Sequence, residues 1–215
     1  MPSSTPTTDI ATRQRLIDAA GVVFAEQGYR SATVRAICAR AQANGAAVNY
    51  HFGDKERLYL AVLETAHATA LERYPPDLGT TADSSAEDRL RAFVRSFLLR
   101  ILDDGVPAWL GKLMAREMIE PTGALDGLVE RVMRPLFTRL VGIVGELAGE
   151  RADPERVRLC AQSIVGQCMF YRHAQECLRR LGRDAVCGRE RIEAVADHIA
   201  AFSLAGIRLQ KRGKP

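Results

Sequence analysis

The chain has 215 residues, 47% of them hydrophobic and 26% charged, with a net charge of +4. That is enough apolar material for a packed core without staples, and no apolar run reaches the roughly 18 residues of a spanning helix. The charge excess is too mild to imply nucleic acid by itself, but residues 1–60 carry seven basic side chains against five acidic ones, so its placement bears on function.

Residues 1–8 are Ser/Thr/Pro-rich and read as a disordered lead-in. Helical periodicity then dominates. Leu16, Ile17, Ala20, Val23 and Phe24 form one face of a first helix that Gly28 is expected to end. Thr33 offers an N-cap for a short second helix striped by Val34, Ile37, Cys38 and Ala41. Val48 and Phe52 mark a third, and Asp54 caps a fourth with Leu58, Ala61, Val62 and Thr65 on its stripe. The run Tyr74–Asp88, with two prolines and a glycine, reads as the loop between an N-terminal unit and a larger C-terminal one.

A fifth helix carries Leu90, Phe93, Val94, Phe97 and Ile101, and Pro107 opens a sixth around Trp109, Leu113 and Met114. A seventh spans Ala124 to Leu147 with a bend at Pro135, and an eighth spans about 154–181. Gly182 to Gly188 is a loop, a ninth helix covers about 189–209, and the basic tail frays at 212–215. No period-two strand pattern occurs, so the expected class is all-α.

Helices two and three are about two turns each and marginal in isolation. Their buried stripes close a small core with the first helix and leave the outer face of the third exposed. Two readings fit: ordinary packing, or a helix-turn-helix whose second helix enters a DNA major groove. In the second reading Asn44, Gly45, Ala46, Ala47 and Asn49 face bases. Small residues allow close approach, and an Asn amide matches adenine. Thr33, Arg35, Tyr50, His51 and Lys55 then contact phosphate.

The segments RQRLIDAAGVVFAEQGYRSA and TVRAICARAQANGAAVNYHFGDKERLY resemble the DNA-binding domain of the tetracycline-repressor (TetR) family. Phe24, Gly28, Tyr29, Thr33, Ile37, Ala41, Tyr50, His51, Phe52, Lys55, Glu56 and Leu58 carry the match. Three positions depart from the pattern. Gln42 stands where a turn glycine is usual, Ala43 replaces Val, and Asn49 replaces an aromatic. A positive φ at Gln42 would be strained. REMIEPTGALD (Arg116–Asp126) and GQCMFYRHA (Gly166–Ala174) extend the resemblance to a YbiH/CecR-like subset.

The resemblance implies a lead-in at 1–8, a reading head at 9–56, an effector-binding and dimerisation domain at 57–211 and a tail at 212–215. It implies a homodimeric, cytoplasmic regulator, by family default a repressor. Such a protein binds a palindromic double-stranded DNA operator and is released by a small-molecule effector, with no cofactor. Helices eight and nine, each apolar on two sides, are the expected dimer surface. Phe97, Trp109, Leu113, Met114, Met118, Phe137, Phe170 and Tyr171 could line an effector pocket or simply be core, as could Met169. Arg116, Glu117 and Gln167 could hold an effector's polar group or pair structurally.

The cysteines are Cys38, Cys160, Cys168, Cys177 and Cys187, an odd set without a CxxC pair. No leader pattern precedes them, so free thiols in a reducing compartment are expected. His173 and Cys177 share the i, i+4 spacing of metal ligands, but two ligands are too few for a site. A Cys hydrolase would need a base and an orienting group beside Cys168, and no such motif is present. An adaptor that binds protein and never touches DNA remains the third reading.

Overall fold

The computed structural model describes residues 6–103, 107–181 and 188–212. Every regular element among them is helical: α1 Pro6–Ser31, α2 Val34–Ala41, α3 Ala47–Phe52, α4 Lys55–Arg73, α5 Ala86–Leu102, α6 Ala108–Ile119, α7 Ala124–Leu128, α8 Arg134–Ala148, α9 Pro154–His173, α10 Gln175–Arg180 and α11 Arg189–Arg212. A π-helical turn, Val129–Met133, joins α7 to α8. No helix among the described residues is long and apolar enough to cross a membrane. The loop expected at 182–188 lies outside the described residues except for Gly188, and so does Cys187.

The chain forms two compact units. One comprises Met1–Thr69 with Pro107–Val132, the other Ala70–Val106 with Met133–Pro215. The expected segments meet at 56/57, whereas the first chain crossing between units falls at 69/70, inside α4. The proline-rich break beginning at Tyr74 lies wholly within the second unit.

In the first unit, Leu16, Ala20 and Phe24 of α1 are fully buried, and α1 packs against α2 and α6. The indole of Trp109 lies against Gly21, where an added Cβ would come within 2.6 Å of the ring. Phe24 meets Tyr59 edge-on at 4.9 Å, and Tyr59 lies 5.0 Å from Tyr29, which closes an aromatic cluster between α1 and α4.

The second unit packs α5, α8, α9 and α11 around Leu98, Leu99, Leu140, Val144, Ala161 and Ile199. The Ser96 hydroxyl donates to the Tyr74 carbonyl at 2.8 Å, and the Tyr74 hydroxyl donates to Asp103 at 2.7 Å, so the 74–85 loop is tied back to α5.

Four local expectations change. Residues 6–8, read as lead-in, already belong to α1. Gly28 breaks α1 without ending it: at φ 79, ψ 163 it turns the chain, and helical bonding resumes to Ser31. The single helix expected from Ala124 to Leu147 is three pieces, with the π turn directly ahead of Pro135. Proline lacks the N–H that the preceding turn needs, and wider bonding absorbs the gap. The helix expected over 154–181 breaks at Ala174 (φ −93, ψ 10) into α9 and α10. Its hydrophobic stripe carried no sign of that backbone step.

Candidate nucleic-acid interface

The turn between α2 and α3 is built by local bonds. Thr33, extended at φ −111 and ψ 145, accepts the Ala36 N–H on Oγ1 at 3.1 Å and caps α2. At the other end Gln42 takes φ 51, ψ 43, the left-handed state that the family's glycine would supply. The Ala43 N–H reaches back to the Cys38 carbonyl at 2.9 Å, which completes a 6→1 C-cap. Asn44 then takes over: its Oδ1 accepts the Ala46 N–H at 2.9 Å and its carbonyl accepts the Ala47 N–H at 2.9 Å. These bonds leave the first turn of α3 pointing outward.

α3 is anchored by Val48, fully buried, and Phe52. Its outer face is bare. Asn44, Gly45, Ala46 and Asn49 are exposed, Tyr50 is 73% exposed, and Ala47 is half-buried. Nothing lies within 4 Å of where a Gly45 Cβ would sit. A slim, amide-bearing face on a short rod suits base edges in a major groove. Arg35, with Arg40 and Arg30 nearby in sequence, is exposed on the same unit.

Two expected phosphate contacts sit differently. Lys55 Nζ donates to the carbonyls of Tyr29 (2.9 Å) and Ala32 (3.1 Å), lies 3.4 Å from that of Arg30, and stands 4.6 Å above the Tyr29 ring. Its three donors are therefore committed to the C-terminal end of α1, where the helix dipole favours a cation. Sequence spacing could not separate this carbonyl-capping role from a solvent-facing lysine. The His51 side chain is only 7% exposed, and its Nε2 lies 3.6 Å from Asp9 Oδ1. It packs between the neighbouring rings of Tyr50 and Phe52, while Arg13 stacks over Phe52 at 5.1 Å. His51 holds α3 against α1 and does not face outward.

The residues expected to line one effector pocket fall into both units. Trp109, Leu113, Met114, Arg116, Glu117 and Met118 lie on α6 in the first, and Phe97, Phe137, Gln167, Phe170 and Tyr171 lie in the second. Leu113 is core, Met114 Sδ sits 3.4 Å from His67 Nε2, and Met118 is about half exposed.

Glu117, 1% exposed, is occupied structurally. Its Oε2 accepts from the Tyr59 hydroxyl at 2.9 Å, and its Oε1 accepts from the Thr122 N–H at 2.7 Å and hydroxyl at 2.9 Å. Burial and this bond raise the Tyr59 pKa well above its ordinary value. The Arg116 guanidinium occupies the space beside Gly28 that a side chain there would need. Glu117 is therefore a packing element of the first unit, while Arg116 at the preceding position is exposed.

In the second unit Phe97, Phe137 and Tyr171 are half-buried against the core. Gln167 Nε2 lies 3.4 Å from both the Ser163 carbonyl and Ser203 Oγ, and Phe170 is 53% exposed. Cys168 is fully buried, and burial pushes its thiol up to about 12. Such a thiol is neutral and inert. Cys177 lies beyond the Ala174 break from His173, so the two do not share one continuous helix.

Sequence reasoning passed over Arg100. It is 8% exposed, with Nε 3.3 Å from the Ser96 carbonyl and the guanidinium 5.5 Å from the Phe97 ring centre. Desolvation lowers its pKa to about 10. The signal was present: Arg100 follows Phe93 and Phe97 at i+7 and i+3 on the core stripe of α5.

A family model described as bacterial regulatory proteins, tetR family, matches residues 16–62. A second, described as the C-terminal domain of the HTH-type transcriptional dual regulator CecR, matches residues 86–207. The dual regulator CecR of Shigella flexneri is 30% identical over 174 residues, covering 77% of this chain and 78% of that protein. The transcriptional repressor AcnR of Corynebacterium efficiens is 42% identical over 53 residues, 25% of this chain and 28% of its own length. The fold resembles the fatty acid degradation regulator FadR of Bacillus halodurans, with TM-score 0.68, 18% identity and coverage of 96% and 98% of the two chains. It also resembles AibR solved with isovaleryl coenzyme A and operator DNA, with TM-score 0.62, 17% identity and coverage of 89% and 97%.

Proposed function

The chain belongs to the TetR family of bacterial transcription regulators, which are not enzymes, and from that premise we propose that it is a ligand-responsive homodimeric repressor. Each copy places α3 in the major groove of one half-site of a palindromic operator. Asn49 and the 44–47 turn read base edges, while Arg35, Thr33 and Tyr50 grip phosphates. The observation that carries this reading is the bare outer face of α3, held outward by the Thr33, Gln42 and Asn44 caps while Val48 and Phe52 anchor the inner face.

Dimerisation runs through α9 and α11. Leu159 (51%), Phe170 (53%), Phe202 (64%) and Leu209 (69%) leave large apolar surface exposed on these two helices, and Gly166 and Gly206 face open space. Apolar area of this kind on a single chain calls for a partner, and an isologous pair suits a two-fold operator.

A small molecule bound in the second unit shifts the equilibrium between DNA-competent and released forms by its differential affinity for the two. FadR of Bacillus subtilis with stearoyl-CoA and AibR with isovaleryl coenzyme A support a small organic ligand as the signal. The reading is tested by selecting bound fragments from the host genome and titrating one by fluorescence anisotropy. A protected inverted repeat supports it, and salt-dependent binding without sequence preference contradicts it.

A further inference from the structure

The second unit holds one buried cation whose charge no carboxylate among the described residues answers. Arg100 on α5 is 8% exposed. Its Nε faces the Ser96 carbonyl at 3.3 Å, and its Cζ stands 5.5 Å over the Phe97 ring. The charged groups nearest in sequence are otherwise engaged: Asp103 accepts from Tyr74 and pairs with Arg73, and Arg95 pairs with Glu193. The neighbouring Cys168 is neutral in its buried setting and supplies no counter-charge. Burying an unpaired charge is costly, and where such a charge persists a bound anion is a physical reason for it. Three other arginines on α5 and α11 show the contrast: Arg89, Arg95 and Arg208 each meet a glutamate.

We propose that Arg100 is the anion-recognising end of an effector site in the second unit, and that the ligand is an organic carboxylate carrying an apolar body. The geometry selects this class. With Nε donating to the Ser96 carbonyl, an arginine keeps two terminal nitrogens, whose planar two-point donation matches the two oxygens of a carboxylate. Half-buried Phe97, Phe137 and Tyr171 on the same core supply apolar and aromatic surface for the rest of the molecule. The inference rests on the effector-release reading above and adds to it the chemical class of the signal.

The full-length protein is titrated by calorimetry and thermal shift with straight-chain carboxylates from butanoate to decanoate, and with the primary alcohol of each length. The proposal expects carboxylates to bind and raise Tm, and the alcohols to bind at least tenfold more weakly. Arg100→Met is expected to lose the carboxylate preference and to melt no lower than wild type without ligand. Arg100→Lys, which keeps the charge but not the fork, is expected to lose about tenfold. If no carboxylate binds, or if they bind Arg100→Met or Arg100→Lys as they bind wild type, the site is overturned. A lower Tm for ligand-free Arg100→Met overturns it too, because it assigns the guanidinium a structural partner. Carboxylate binding that leaves operator affinity unchanged supports the site and contradicts the effector role. Loss of the regulator reading is registered separately, as the absence of any operator.

Discussion

The Tyr59 hydroxyl donates to Glu117 Oε2 at 2.9 Å inside the first unit, joining α4 to α6 through a carboxylate that is 1% exposed. The other oxygen of Glu117 is filled by Thr122, so the carboxylate has three donors and no solvent. Removing it leaves those donors unanswered in the core. Glu117→Ala is expected to lower unfolding free energy by about 3 kcal/mol, and Tyr59→Phe by about 1–2 kcal/mol, in urea titrations. Equal and negligible effects for both would contradict the bonded arrangement.

Lys55 closes α1 by donating to main-chain carbonyls. Lys55→Met is therefore expected to cost about 1–2 kcal/mol of stability and to weaken operator binding only through the looser head. The slope of log affinity against log salt should stay that of wild type, because no phosphate contact is lost. A slope reduced by about one unit, with stability unchanged, would instead return Lys55 to the DNA.

Gln42 holds φ 51 without a glycine's freedom. Gln42→Gly relieves that strain and is expected to raise stability by about 1 kcal/mol, measured as a Tm increase of a few degrees. A decrease would place Gln42's side chain in a contact worth more than the strain.

Burial holds the Cys168 thiol neutral up to about 12, against an ordinary thiol value near 9. Below pH 9 the thiol is protonated in both states. Above it the unfolded chain releases the proton and the folded chain does not, so stability falls as pH rises, at about 1.4 kcal/mol per unit at full slope. Arg100 acts in the opposite sense, but only above its value of about 10. Between pH 8.5 and 10, Cys168→Ala is expected to flatten the decline seen in denaturant titrations. An unchanged decline would mean that Cys168 is solvated.

The fold class and the short helix pair were legible because both depend on spacing: Val48 and Phe52 fall about one helical turn apart with no alternating pattern around them, and Thr33 and Asp54 are chain-local caps. Partners across space were not legible. Arg116 and Glu117 read as possible effector ligands because two charges in an apolar helix have no evident answer in one dimension. For Glu117 the answer lies at Tyr59 and Thr122, while Arg116 is exposed to solvent. Lys55 likewise finds its acceptors more than twenty residues upstream. The divided helices at Ala174 and before Pro135 escaped because hydrophobic stripes continue across a local backbone step. Arg100 escaped for the opposite reason: its place on the core stripe was visible, and its charge argued for a solvated side chain.

The central claim is that the outer face of α3 reads DNA, and the most direct measurement is operator affinity for Asn49→Ala beside its stability. Asn49 is exposed on the outer face of α3, so the fold should be untouched. The account expects wild-type Tm, a loss of about 1–3 kcal/mol in anisotropy titrations on the selected operator, and unchanged binding to random duplex. Wild-type affinity for the operator, with Asn49 absent, would contradict it.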